Sequence, residues 1–369
     1  MAWFGRKAAA SPRPALLRAL GNGVVGGHWP RSYEAQLRDG MLGNPIALRA
    51  TRLVSEAAAS VPIYAAGEDQ RAARLLPPIM EAAATFLLLH GDAYLQIGCD
   101  GEDRPAELYA LRPERVAVEV DGRGWPIAYR YAAGAAVSHL PAQDAAGRTA
   151  LVHVRSINPL DDHYGLGCLG AAAAAIALHN AATGWNRSLL DNAARPSGAL
   201  VYEPGEPGAT LSTEQFDRLR AEMDASFSCS GNAGRPMLLE GGLRWQSLSM
   251  TPADMDFVGL KETAAREIAL AFGVPPMLLG LPGDSTYANY REANRALWRL
   301  TVLPLAGKIV DAVAAALRGW WPELSLAIDL AGVPALAEDR ERLWSTVAAA
   351  DFLSADEKRE MVGFDRRGA

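Results

Sequence analysis

The spacing of apolar positions divides the chain into runs of helical and of strand-like period. Residues 45–60 place Ile46, Leu53 and Val54 on one helical face. Asn44 precedes them as a cap, Pro45 takes the first helical position, and Pro62 stops the run. A second helix is predicted over 77–90, and Gly91-Asp92 turns it into the alternation AYLQIGCD. From there to residue 154 the pattern is that of strands: ELYALRPERVAVEV, PIAYRYAAG, AVSHLPA and ALVHVR, divided by Asp-Gly, glycine-rich and proline turns. Strands this short predict a small twisted sheet. They have neither the strand–helix repeat nor the glycine fingerprint of a nucleotide-binding fold.

The pattern changes at residue 165. Residues 165–192 are free of proline and rich in alanine, with Leu178, Ala182, Trp185 and Leu189 recurring at helical spacing. A helix of that length is roughly 40 Å long. Asn192 to Pro196 ends it, because proline disfavours helical geometry in the residue before it. A compact insert follows: the strand SGALVYEP, a helix over LSTEQFDRLRAEMDASF, and the strands GRPMLLEGG and LRWQSLS about a Gly-Gly turn. In that helix Phe216, Leu219, Met223 and Phe227 share a face, and Ser212 and Gln215 have capping-box spacing. A second long helix is predicted from Thr251, with Pro252 at its first position and Asp254 near its free N–H groups. It carries Phe257, Leu260, Ala264, Ile268 and Phe272 on one face; Gly273 caps it and Pro275-Pro276 prevent continuation. After the loop LPGDS a third long helix runs over 286–318, with Pro304 predicted to bend it. WPELSLAIDL reads as a strand, and residues 337–361 as two helices broken around Leu353-Ser354.

Composition narrows the class. The 369 residues, 50% apolar and 21% charged, describe a globular chain large enough for two or three domains. A net charge of -6 argues against a dedicated duplex-binding protein, which needs clustered cations to neutralise phosphates. Cys99, Cys168 and Cys229 are too far apart for a metal motif and odd in number, which suits a reducing compartment. Residues 1–30, rich in Gly, Pro and Arg, read as a flexible arm without the continuous apolar run of a signal peptide or anchor. The nearest approach to a membrane span, GLGCLGAAAAAIALHNAATGW, depends on alanine and reads as a soluble helix.

Candidate chemistry is sparse. The histidines at 28, 90, 139, 153, 163 and 179 contain no zinc-hydrolase pair. Asp161, Asp162 and His163 in DDHY have donor types for a divalent cation, against a plain reading as a polar loop before a helix. GNGVVGG lacks the strand before it and the Lys-Ser or Lys-Thr after it that a phosphate loop requires. Ser197 has neither elbow glycine nor base. Asp284, Ser285 and Tyr287 sit in an accessible loop with no nameable acid or base partner, and Asp284 or Ser285 equally suits a helix cap. Nothing demands catalysis or a cofactor. What stands out is two long helices with a folded module between them, then a tight loop and a third helix; such helices need neighbours, which a symmetric oligomer supplies.

Five ordered stretches carry a resemblance: YGLGCLGAA, DNAARPSGAL, GRPMLLEGGLRWQSLSMTPADMDFV, KETAAREIALAFGVPPMLLGLPGDSTYANYREANRALWRLTVLPL and ADFLSADEKREMVGF. The chain resembles the HK97-like family of phage portal proteins, most closely the portals of gene transfer agents in alphaproteobacteria. The resemblance implies an α+β fold: an arm at 1–30, a wing at 31–164, stem helices at 165–193 and 251–276, and an α/β clip at 194–250. A tunnel loop and kinked wing helix at 277–330 and a short crown at 331–369 complete it. It further implies a homo-oligomeric ring, commonly of 12 subunits, at the head–tail vertex of a particle assembled in the host cytoplasm. Double-stranded DNA passes through the ring; the major capsid protein, the terminase large subunit and then a head–tail adaptor bind it; no membrane, metal or cofactor takes part. Pro282, Gly283, Asp284, Ser285, Thr286 and Tyr287 fall near the tunnel loop. Glu203, Glu206, Glu214 and Asp217 read either as an acidic docking face on the clip or as an ordinary solvated surface, and Arg195, Arg235 and Arg244 are candidates for pairing across subunits. The short C-terminal part implies no extended crown barrel. The alternatives are a hydrolase built on residues 282–294, which would need a base or metal, and a monomeric or dimeric nucleic-acid-binding adaptor, which would need a basic groove.

Overall fold

The computed structural model describes residues 33–66, 70–191, 198–202, 212–227, 243–247, 257–282 and 286–363. The chain forms two compact units, Met1–Ala173 with Ala269–Ala369, and Ala174–Ile268. The predicted arm at 1–30 lies outside the described residues.

In the first unit a short helix α1 (Tyr33–Gln36) widens into a π turn (Leu37–Leu42) and leads to α2 (Pro45–Ala59). Asn44 caps α2 as expected, its side chain accepting from the amides of Ile46 and Ala47 at 3.1 and 3.0 Å. Next come β1 (Ile63–Ala66), α3 (Gln70–Arg74) and α4 (Pro77–His90). The strands follow: β2 (Asp92–Cys99), β3 (Pro105–Leu111), β4 (Val116–Val120), β5 (Pro126–Ala133), β6 (Ala136–Pro141) and β7 (Leu151–Arg155). ELYALRPERVAVEV, read as one strand, is split by a 3-10 turn at Pro113–Arg115. The split divides the expected single sheet into two antiparallel ones, ordered β3-β2-β7 and β4-β5-β6. Tyr94, Leu111, Val116, Tyr129 and Leu151 form a buried cluster that both sheets line, with Val118 and Leu140 packed on it. Three turns of the sheets share one device. Asp100, Asp121 and Asp144 each use Oδ1 to accept two amides of their own turn.

After α5 (Cys168–Asp191), β8 (Gly198–Tyr202), α6 (Thr213–Phe227), β9 (Leu243–Ser247) and α7 (Phe257–Ala271), the chain completes the first unit. α8 (Tyr287–Leu297) passes through a π turn (Trp298–Val302) into α9 (Leu303–Leu317). Pro304 therefore sits in the first turn of α9 and not inside a regular helix. Its ring crowds the carbonyl four residues earlier, at Leu300, and the helix widens over that turn. β10 (Ser325–Ile328) pairs antiparallel with β1, Ile63 opposite Ile328, and α10 (Ala337–Ala349) and α11 (Ala355–Met361) end the described chain. The break expected near Leu353-Ser354 is a capping box between Ser354 and Glu357.

α9 packs against α2, α4, β7 and β10. Ala306, Ile309, Val310, Val313, Ala314 and Leu317 of α9 are buried, as are Ala47, Ala50, Val54 and Ala58 of α2. Alanine at the contacts lets the helix backbones approach, and each buried Ile, Val or Leu contributes about 1.5–3 kcal/mol. The helical run Ala288–Leu317, and not the alanine-rich stretch at 165–185, is long and apolar enough to cross a bilayer. Its buried face here is the centre of the first unit.

In the second unit β8 and β9 pair antiparallel, Leu200 opposite Trp245, and the capping box on α6 joins Ser212 and Gln215 as the spacing predicted. Phe216, expected on an apolar face of α6, is more than half exposed in the single chain. The strand GRPMLLEGG and the first residues expected of the second long helix, Thr251, Pro252 and Asp254, lie outside the described residues. α5 buries Leu169, Ala172, Ala173, Ile176, His179 and Ala182. That stripe keeps the expected Ala182 and corrects its neighbours: Leu178 and Trp185 are exposed, and Leu169, Ala172, Ala173 and Ile176 take the packed face. Of the expected positions, Ala264 and Ile268 on α7 and Phe272 just after it are buried, while Val258 and Leu270 are exposed.

Candidate functional site

The loop before α8 is held at both ends. α7 stops at Ala271, Gly273 adopts φ +65° as predicted, and Thr301 Oγ1 donates to the Gly273 carbonyl at 2.7 Å. A 3-10 turn (Pro276–Leu279) leads through Leu281 to the exposed Pro282. Gly283, Asp284 and Ser285 lie outside the described residues. The cap of α8 is Thr286, whose backbone is extended and whose Oγ1 accepts from the Asn289 amide at 3.2 Å. The helix begins at Tyr287, one residue later than a cap at Ser285 would require.

Behind the loop stands a ladder of arginines. Arg291, Arg295 and Arg299 follow one another at four-residue spacing and meet Glu338 and Asp339, the acids in the first turn of α10. Arg291 contacts Glu338 at 2.6 Å, and Arg299 contacts Asp339 at 2.5 Å. Arg295, 8% exposed, reaches Glu292 at 2.9 Å, Glu338 at 3.0 Å and Asp339 at 3.4 Å. Glu338 and Asp339 also complement the positive end of α10. Partial burial makes this network stiffer than surface pairs, and it fixes α8 to the C-terminal helices.

A second mooring lies just before α5, where the chain runs YGLG. Gly91 ends α4 at φ +85°, a conformation that favours glycine. Gly165 and Gly167 press against that corner: a Cβ at 165 would lie 1.9 Å from the Gly91 carbonyl oxygen, and one at 167 would lie 2.3 Å from that of Leu89. Asp92, fully buried, ties the corner together. It accepts from His153 Nε2 at 2.8 Å, from His90 Nδ1 at 3.3 Å, and from the Gly165 amide at 2.9 and 3.0 Å. Burial by itself pushes the Asp92 carboxyl up. The hydrogen bonds from His153 and His90, the His153 charge and the Gly165 amide outweigh it and hold the carboxyl below its ordinary range. His153 stacks on Tyr94 with ring centroids 4.3 Å apart, and Tyr164 Oη accepts from the Val118 amide at 3.0 Å. Both Asp92 oxygens are engaged by protein donors, so the cluster acts as a lock that sets where α5 begins. α5 starts at Cys168 and not at Gly165 because residues 165–167 are spent on this contact.

The other predicted positions are scattered. Glu214 and Asp217 are exposed on the first turns of α6, while Glu203 and Glu206 lie outside the described residues. Arg244 is exposed on β9 opposite Val201; Arg195, Arg235 and Ser197, like GNGVVGG, lie outside. Asp161 Oδ1 accepts from the His163 and Tyr164 amides, which is the plain loop reading of DDHY. The Asp92 lock and the arginine ladder were missed. Their signals were the contiguous His90-Gly91-Asp92 and the i, i+4, i+8 arginines, neither of which names its distant partners in the sequence.

The phage portal protein family matches residues 45–363. The neck of an empty GTA particle computed with C6 symmetry contains a chain 43% identical, with a TM-score of 0.71 over 94% of this chain and 96% of that one. The neck of a native GTA particle computed with C12 symmetry gives 44% identity and a TM-score of 0.69 over 94% and 97%. A probable portal protein of Streptomyces phage phiC31 is 28% identical over 63% of this chain and 50% of its own length. With a family match that begins at α2 and runs to the end of the described residues, the chain belongs to the phage portal protein family.

Proposed function

We propose that this chain is the portal subunit of a gene transfer agent or related phage-like particle, assembled as a ring of twelve around a tunnel at the head–tail vertex. The ring conducts double-stranded DNA during packaging and ejection. One observation carries this reading: near-complete coverage, at 43–44% identity, of chains in GTA necks computed with C6 and C12 symmetry. In the proposed assembly residues 31–164 and the kinked helix form the wing, 165–193 and 251–276 the stem, 194–250 the clip and 331–369 the crown. Pro282 to Tyr287 border the tunnel. The clip acids Glu203, Glu206, Glu214 and Asp217 face the terminase large subunit and later the adaptor, the wing faces the major capsid protein, and Arg195, Arg235 and Arg244 pair across subunits. The subunit performs no catalysis of its own; the energy for translocation comes from the separate ATPase.

The net charge of -6 supports the tunnel, because each phosphate neutralised by a cation adds affinity that would arrest sliding. Exposure of Leu178 and Trp185 on α5 and of Val258 and Leu270 on α7 supports stems that need neighbouring copies. Native mass spectrometry of the purified chain, with negative-stain class averages, tests the reading. Rings of about a dozen chains with a central hole are expected; a closed dimer with a deep pocket would overturn it.

A further inference from the structure

A concavity of about 640 Å³ opens in the first unit between α3, the β2–β3 turn and the segment after α9. Arg71, Arg74 and Arg104 line it, with Asp100 the one carboxylate and Trp321 and Leu75 as apolar walls. Asp100 is committed to its own turn, accepting from the Glu102 amide at 2.9 Å and the Arg104 amide at 3.0 Å. Arg104 contacts Glu102 at 2.8 Å. Among the described residues, Arg71 and Arg74 have no ion-pair or hydrogen-bonded partner. Two exposed guanidinium groups with no ion-pair or hydrogen-bonded partner among the described residues, Arg71 within electrostatic reach of Asp100, stand beside a half-buried tryptophan in a protein of net charge -6.

Arginine and tryptophan are the side chains that gain most when a partner excludes water from them, and a guanidinium binds a carboxylate through two parallel hydrogen bonds. In open solvent such a pair is worth little, which favours a protein partner that covers the site over a free anion. The concavity has room for a few side chains and carries Asp100 in its wall, whereas a nucleic-acid strand needs an extended basic track. An acidic copy of this chain supplies the complementary charge, and neighbouring copies stand side by side in a ring. We propose that this concavity docks a carboxylate-bearing segment of an adjacent copy, with its acids on Arg71 and Arg74. The proposal rests on the ring reading above.

R71K and R74K keep the charge and place a new amine in the concavity; the native chain has four lysines, so the new links are readily assigned. Each variant is prepared unlabelled and 15N-labelled, mixed before assembly, and treated with a zero-length carbodiimide that joins amine to carboxylate. Native masses of the same samples report ring formation separately. Links from position 71 or 74 that join light to heavy chains are expected, and R71E/R74E should raise the concentration for half-assembly about tenfold. Rings in which these amines link within one chain, or not at all, would overturn the docking and leave the ring reading intact. Absence of both rings and inter-chain links would overturn both. Unaltered assembly by R71E/R74E together with lost retention on duplex DNA would assign the concavity to phosphates and refute the proposal.

Discussion

Replacing Asp92 by alanine tests whether the corner before α5 is a stability element of the whole first unit. The wild-type carboxylate is fully buried and accepts the His153 and His90 N–H groups and the Gly165 amide. In D92A the His153 donor, 9% exposed, and the Gly165 amide lose their acceptor, while His90, 21% exposed, can turn to water. Two stranded donors at about 1–3 kcal/mol each, with the loss of charge-assisted bonds, give roughly 3–5 kcal/mol. In a domain of this size that corresponds to a melting temperature lower by on the order of 10 °C. Thermal unfolding at pH 7 measures the loss, and hydrogen exchange at the Gly165 and Ser156 amides, the latter bonded to the Gly91 carbonyl at 2.7 Å, locates it. The sign with pH follows from a carboxyl held below its ordinary value of 3.8. The part of its contribution tied to that shift is complete above the ordinary value and is lost as pH falls through the lower folded pKa, so the gap between wild type and D92A narrows as pH falls below about 4. A D92A loss under about 1 kcal/mol at pH 7, or a gap that widens as pH falls below about 4, would refute the lock.

Four further outcomes are expected. G165A places a methyl group inside contact distance of the Gly91 backbone and should cost more than about 3 kcal/mol or prevent folding, whereas G170A, in open space, should be neutral or mildly stabilising; urea midpoints compare the two. Tyr94 Oη is buried with no hydrogen-bond partner among the described residues, so Y94F should keep the His153 stacking and stabilise by about 1 kcal/mol in the same assay, and a clear loss would show that the hydroxyl is satisfied. R295M removes the cation shared by Glu292, Glu338 and Asp339; exchange of α10 amides should quicken by about tenfold or more while α4 is unchanged. Burial first, and then the Lys261 charge, hold His179 below its ordinary 6.5, so its contribution is present above pH 6.5 and is lost as pH falls; H179Q should flatten that slope between pH 7 and 5.

The sequence by itself determined the local elements whose signals lie within a few residues. Asn44 before Pro45, Ser212 with Gln215, Ser354 near the C-terminal break and Gly273 before two prolines all act where their spacing placed them. These are contacts between near neighbours, so the order of residues contains both partners. It also determined the family, through five ordered motifs. Only the tertiary structure decided that Pro113 divides one apparent strand between two sheets, and that β1 closes on β10 more than 250 residues away. It alone showed that Leu178 and Trp185 of α5 stand outward while Ile176, His179 and the alanines at 172, 173 and 182 turn inward. Helical period gives a face with equal clarity in either direction, and the choice depends on what packs there. The same holds for Asp92, whose charge is tolerable only because His153 and Gly165, 61 and 73 positions along the chain, converge on it. Charge pairing at such separations is a property of the folded chain, since a residue type states what it can bind and the fold supplies the partner.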